Sequence, residues 1–256
     1  MEQKTERSWF GVTLGLALLI AVCVTVLPEA TALAASGSET AALDGAEADP
    51  WEPFNSKMFW FNRNILDRYL LKPAAQAWDL ILPDPVQQSL RNAVDNFNVL
   101  PRLVNTLAQG KFAAAGRETA RFGINSTIGL AGLFDVAKDG FGIEGSHEDT
   151  GQTLGFYGAG PGPYLVLPLL PPMNVRDGVG AVVDGAMNPL NYLLPFAWDA
   201  DGGTTTGALL GMAATDAVNR RSLNLEFYEG VEESVIDLYS AVRNAHFQKR
   251  EAEIKK

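Results

Sequence analysis

The sequence predicts an all-α fold, a single domain of short helices broken by proline and glycine. Three observations carry that reading. Apolar residues recur every three or four positions through most of the chain, which is the period of a helix face. Strand signals are few and short. The 256 residues include 14 prolines and 25 glycines, placed so that no helix runs long. There is no internal repeat.

The first element is a targeting segment. Lys4 and Arg7 precede an uncharged run over 9–27, and Ala32-Leu33-Ala34 fits the A-x-A pattern of signal peptidase. Three outcomes fit residues 1–34: a signal cleaved after Ala34, an anchor left in place, since the run is long enough to span a bilayer, or a lipoprotein signal modified at Cys23. Val22 stands where the lipidation pattern wants a small residue. Residues 35–48 are small and polar, offer too little apolar bulk to offset the entropy of ordering, and read as a flexible tether.

The domain then spans 49–245. Asp49-Pro50 reads as an N-cap followed by proline at the first helical position. Phe54, Met58, Phe61 and Ile65 follow at helical spacing, with Trp51, Phe59 and Trp60 widening the apolar surface, so both faces of this helix need a partner. After Pro83-Asp84-Pro85, a stripe from Val86 to Leu107 predicts two helices divided at Pro101. A further helix is expected over 112–125, with Arg117, Glu118 and Arg121 on its polar side. No charge stands between Arg121 and Asp135, and the glycine-broken stretch 122–137 fits either a buried hairpin or one lying in a lipid interface. Residues 138–163 are polar and glycine-rich, and 164–170 reads as extended. Another low-charge stretch covers 178–198, with Asp184 its lone charge. From 204 the pattern is helical, Val231, Val235, Leu238, Val242 and Ala245 forming one stripe. Residues 246–256 read as a frayed tail, with His246 on the surface.

Composition excludes several functions. A net charge of −10 leaves no basic face for nucleic acid. One cysteine and two distant histidines argue against a metal site, and nothing asks for a cofactor. The glycines over 151–162 lack the spacing of a phosphate-binding loop. His147 beside Glu144, Glu148 and Asp149 suggests acid–base chemistry, but no nucleophile sits in a matching motif. A solvated loop with Asp149 as a helix cap is the better reading, and the protein is not expected to be an enzyme.

Several motifs resemble one family in order. Asp49-Pro50-Trp51-Glu52-x-Phe54-Asn55 looks like the opening signature of the MlaA/VacJ family, and Phe61-Asn62 with Asp67 continues it. Arg121-Phe122, Asn125-Ser126, Gly129, Gly132, Asp135 and Ala137 match its middle motif. Its longest motif is matched from Glu148-Asp149 through Gly151-Gln152-Thr153-Leu154-Gly155, Tyr157-Gly158, Gly160 and Gly162-Pro163-Tyr164 to Pro168, and Arg176-Asp177 closes the block. Where the family usually has Gly-Pro-Ser, this chain has Pro171-Pro172-Met173-Asn174. The resemblance implies a ring of helices embedded in the inner leaflet of the outer membrane, on its periplasmic side, around a central polar channel. It also implies a role in removing mislocalised phospholipid, with a trimeric porin and a periplasmic lipid carrier as partners. The alternative is a structural envelope protein that binds porins without moving lipid. Lipid movement makes no bond. It needs an apolar exterior and a polar path, because bare charge is costly in hydrocarbon. Candidate channel or lipid contacts are Arg176, Asp177, Tyr164, Tyr157 and Asn125, Arg176 being suited either to phosphate or to an ion pair with Asp177. Candidate membrane-interface residues are Phe54, Met58, Phe59, Phe61, Ile128, Leu130, Leu133 and Phe134.

Overall fold

A computed structural model describes residues 49–193 and 202–256. The expected signal and tether and Cys23 lie outside the described residues, as do Pro195 and Trp198. The regular elements of the described chain are helices and one two-stranded ribbon, joined by turns and loops.

The first rod has three parts: α1 (Glu52–Phe61), a π-helical stretch (Asn62–Leu71) and α2 (Lys72–Ile81). The helix starts at Glu52, two residues later than the Asp49-Pro50 signal predicts, because Asp49 turns its carboxylate onto the Trp51 N–H at 3.0 Å instead of capping a helix. Pro53 is tolerated in the first turn. Pro73 removes a ladder donor at the start of α2, and the rod approaches it in the wider π geometry. The widened turns keep Asp67, five residues beyond Asn62, close to the inward face.

The next helices are α3 (Asp84–Phe97) and α4 (Val99–Ala108). Their break falls at Asn98, not at Pro101. Pro101 sits in the first turn of α4, where its missing N–H would have no helical partner. The helix α5 (Phe112–Thr127) matches the expected element and runs two residues further. A tight turn over 128–134 follows, in which Leu130 and Ala131 hold left-handed φ values of 51° and 59°. Short helices α6 (Val136–Phe141) and α7 (Thr150–Phe156) are capped by Asp135 and Asp149, whose carboxylates accept from Lys138 and Gln152 N–H groups. Of the 164–170 segment expected to be extended, the first part is, while 168–170 turns, with Leu169 holding a left-handed φ of 66°. Its β1 (Tyr164–Leu165) pairs antiparallel with β2 (Met173–Asn174), Tyr164 opposite Asn174.

The helix α8 (Val175–Met187) is capped by Asn174. It crosses α7 so closely that a Cβ on Gly180 would lie 2.3 Å from the backbone N of Gly151. Backbone cannot yield as a side chain can. Gly180→Ala is therefore expected to cost about 2 kcal/mol by overpacking. Gly185→Ala on the same helix, with nothing within 4 Å of its added Cβ, should be neutral or slightly stabilising. Thermal melts of the two variants test the crossing, and equal midpoints would contradict it.

The C-terminal part comprises α9 (Gly202–Ser222), α10 (Leu225–Ser234) and α11 (Leu238–Ile254). Two expectations fail here. The stripe from Val231 to Ala245 is split between α10 and α11, because Asp237 caps a new helix by accepting from Ser240 N–H. The tail does not fray: α11 reaches Ile254, and Arg250 ties it to Asp149 and Asp177. His246 is likewise packed against Tyr164.

Candidate functional site

The distribution of side chains is inverted relative to a water-soluble globule. Among the described residues the buried apolar ones are Ala75, Ala114, Ala115, Ala137, Tyr164 and Val166, four of them alanines. The largest fully buried side chains include Gln87, Glu118, Asn55, Asn174, Asn219 and Thr106. Meanwhile Leu80 and Ile81 at the end of α2 are 88% and 73% exposed, and Phe112 and Leu130 are also largely bare. Polar residues are normally the exposed ones and extended apolar surface normally marks a contact. Among the described residues no helix is long and apolar enough to cross a membrane.

Most of the buried polar side chains bond across helices, as groups without water generally must, although single atoms such as Gln87 Oε1, Ser146 Oγ and the Tyr164 hydroxyl have no hydrogen-bond partner. Near the start of the domain, Asn55 donates to the Tyr164 carbonyl at 2.8 Å and accepts from the Val166 N–H at 3.0 Å. Two turns on, Asn62 donates to the Leu167 carbonyl at 2.8 Å. The rod thus holds the extended segment by side-chain amides. Asp67 receives the Arg221 guanidinium at 2.8 and 3.2 Å. The Trp78 indole donates to Asn219, and Asn219 donates to the Gln87 carbonyl. On α5, fully buried Glu118 pairs with Arg102 at 2.9 Å, and Arg121 reaches Asp135 at 2.8 Å.

A second network joins α4, α7, α8 and α11. Arg250 donates to both oxygens of Asp149, at 2.7 and 2.8 Å, and to Asp177 at 3.0 Å. Arg176 bonds Asp177 at 2.9 Å, and His246 stands 3.6 Å from it. Burial pushes the Asp177 carboxyl up, but the His246 hydrogen bond and the Arg250 bonds and charge outweigh it, holding Asp177 well below the usual carboxylate range. Asp184 is the opposite case. Burial pushes its carboxyl up against hydrogen bonds from the Thr150 hydroxyl, the Thr150 N–H and Asn105, and the net shift is upward. These donors lie at 2.6, 3.1 and 3.0 Å, and all are neutral.

Asp184 faces an open cleft of about 270 Å³, lined also by Asn98, Arg102, His147, Glu148, Asp149 and Asn188. The five expected channel residues do not converge on it. Arg176 and Asp177 form a buried ion pair. Tyr164 is sealed in an aromatic cluster with Tyr239, His246 and Phe247. Asn125 is buried, bonding Asp135 and the Ala137 N–H. Tyr157 stands on the exterior, its hydroxyl donating to the Ala108 carbonyl. Of the interface candidates, Phe54, Ile128, Leu130, Leu133 and Phe134 are exposed. Met58, Phe59 and Phe61 are only half-exposed, Phe59 lying edge-on to Tyr239 at 5.6 Å. Trp60, at 58%, takes the outer position instead. Sequence reasoning missed the cleft. The usable signal was Asp184, a lone carboxylate in a run otherwise free of charge.

Comparison with known proteins fixes the family. The family model for the MlaA lipoprotein matches residues 47–253. The chain belongs to the MlaA family. It is 33% identical over 210 residues to the intermembrane phospholipid transport system lipoprotein MlaA of Escherichia coli K12, covering 80% of this chain and 77% of that one. The MlaA of Haemophilus influenzae is 34% identical over 201 residues, covering 78% and 76%. A chain solved in work on the structural basis for maintenance of bacterial outer membrane lipid asymmetry superposes with a TM-score of 0.70 at 31% identity, covering 81% of this chain and 99% of that one. The all-α fold with one short ribbon is thus the fold of an MlaA-family protein.

Proposed function

We propose that this chain transports phospholipid between membranes and makes no bond in doing so. It sits in the inner leaflet of the outer membrane, on the periplasmic side. There it takes mislocalised phospholipid out of the outer leaflet, beside a trimeric porin, and passes it to a periplasmic lipid carrier. Its helices form a ring around a polar channel, and the exposed apolar faces meet acyl chains. One observation carries this reading: the apolar bulk lies outside and the amides, carboxylates and guanidinia lie inside. Against water that arrangement is unfavourable, at roughly 25 cal/mol for each Å² of apolar surface left exposed. Against hydrocarbon it is the low-energy arrangement, since acyl chains solvate the shell and most of the polar groups satisfy one another. The names of the E. coli and H. influenzae relatives support the same role.

The test is to purify the protein from cell membranes with and without detergent and to extract bound lipid for mass spectrometry. Retention in detergent only, with phospholipid bound, is the expected result. Monodisperse, lipid-free protein in plain buffer would sink the reading.

A further inference from the structure

The cleft beside Asp184 has an unbalanced charge. Its other carboxylates already carry cations: Lys111 meets Glu148 at 2.8 Å, and Arg250 meets Asp149 at 2.7 Å. Arg102 is matched by Glu118. Asp184 alone has no cationic side chain among the described residues, only neutral donors from Thr150 and Asn105. A partly buried carboxylate held only by neutral donors gains from a cation. The same cleft also offers an anion contact. Arg102 spends its Nε on Glu118 and its Nη2 on the Asp95 carbonyl, and its Nη1 takes no protein partner among the described residues.

We propose that this cleft holds the headgroup of an aminophospholipid, with the ammonium on Asp184 and the phosphate on the free Nη1 of Arg102. A zwitterion satisfies both walls at once. An anionic headgroup without an amine would leave Asp184 unmatched and add a second negative charge beside it. The open cleft, of about 270 Å³, has room for a headgroup. This assignment rests on the lipid-transport reading and adds a preference to it. Asp184 is a binding residue here, and no bond is made or broken.

The experiment uses the full chain in detergent, loaded from mixed vesicles of phosphatidylethanolamine and phosphatidylglycerol, with bound lipid counted by mass spectrometry. Wild type is expected to hold phosphatidylethanolamine in excess over the vesicle ratio. In Asp184→Asn that excess should fall roughly tenfold, the weight of one charge-assisted hydrogen bond, read as the ratio of the two bound lipids. Asn98→Lys places an ammonium from the rim into the same cleft and should abolish the excess too, so it decides the matter if Asp184→Asn fails to fold. Soluble phosphoethanolamine, added in competition, should displace phosphatidylethanolamine only weakly. If the soluble compound binds the cleft as tightly as the lipid does, the site serves a free amine and the lipid assignment is overturned. A wild type that carries lipid at the vesicle ratio also overturns it and leaves transport standing. A wild type that carries no lipid overturns both.

Discussion

Arg250→Met is expected to lower the unfolding free energy by about 3 kcal/mol, the low end for stripping one partner from a buried ion pair. The guanidinium is 13% exposed and bridges Asp149 on α7 to Asp177 on α8. Without it Asp177 keeps Arg176 and His246, but Asp149 keeps only the Gln152 donors. Asp149 is 36% exposed at its side chain, so water takes up part of the loss. Arg250→Lys keeps the charge and loses the fork, and should fall between the two. The pH dependence gives an independent sign. Both carboxyls are held below their ordinary value of 3.8, Asp149 by Arg250 and Gln152 against the effect of burial, and Asp177 by His246 and Arg250 against the same effect. A depressed carboxyl contributes stability that is fully present above its unfolded value and is lost as pH falls through its folded value. Wild type should therefore lose stability as pH falls below about 4, and Arg250→Met should lose less over that interval. Melts in micelles at several pH values measure both effects. Coincident curves at neutral pH would mean that the last turns of α11 are not anchored after all.

That anchoring was not legible in the sequence. The stretch over 249–256 has the alternating charge of a solvated end, and nothing local announces that Arg250 reaches residues 101 and 73 positions away. What local chemistry decides was legible: the α5 helix, the extended start of the 164–170 segment and the Asp149 cap. Pro101 misled because proline breaks a helix only where an N–H is needed, and in the first turn of α4 none is. Periodicity located the apolar faces but is silent on whether they meet core or acyl chain, which is why Met58, Phe59 and Phe61 were grouped with Phe54. The polar interior was the least visible part. Asn55, Asn105, Gln87 and Asn219 look like ordinary outward residues in a helical pattern, and only the fold shows that the pattern is turned inside out.

Asn55 gives the sharpest test of that inversion. It is fully buried, and its amide fills three vacancies: it donates to the Tyr164 carbonyl at 2.8 Å and to Asp49 at 3.0 Å, and accepts from the Val166 N–H at 3.0 Å. Asn55→Ala would strand a backbone carbonyl and a backbone N–H out of reach of water, at about 1–3 kcal/mol each. Asn55→Asp has almost the same shape, so a packing argument predicts the milder effect. Electrostatics predicts the reverse. The introduced carboxylate keeps the Val166 contact but turns a donor into an acceptor against the Tyr164 carbonyl, and sets a second negative charge beside Asp49, whose side chain is itself fully buried. The expected loss is about 4 kcal/mol or more, exceeding that of Asn55→Ala. The introduced carboxyl would titrate above its unfolded value, so its penalty is complete at neutral pH and shrinks as pH falls through that raised value. Asn55→Asp should therefore recover toward the alanine variant in mild acid. If it instead melts above Asn55→Ala at neutral pH, the pocket holds water, and the rod does not grip the extended segment by dry amide contacts.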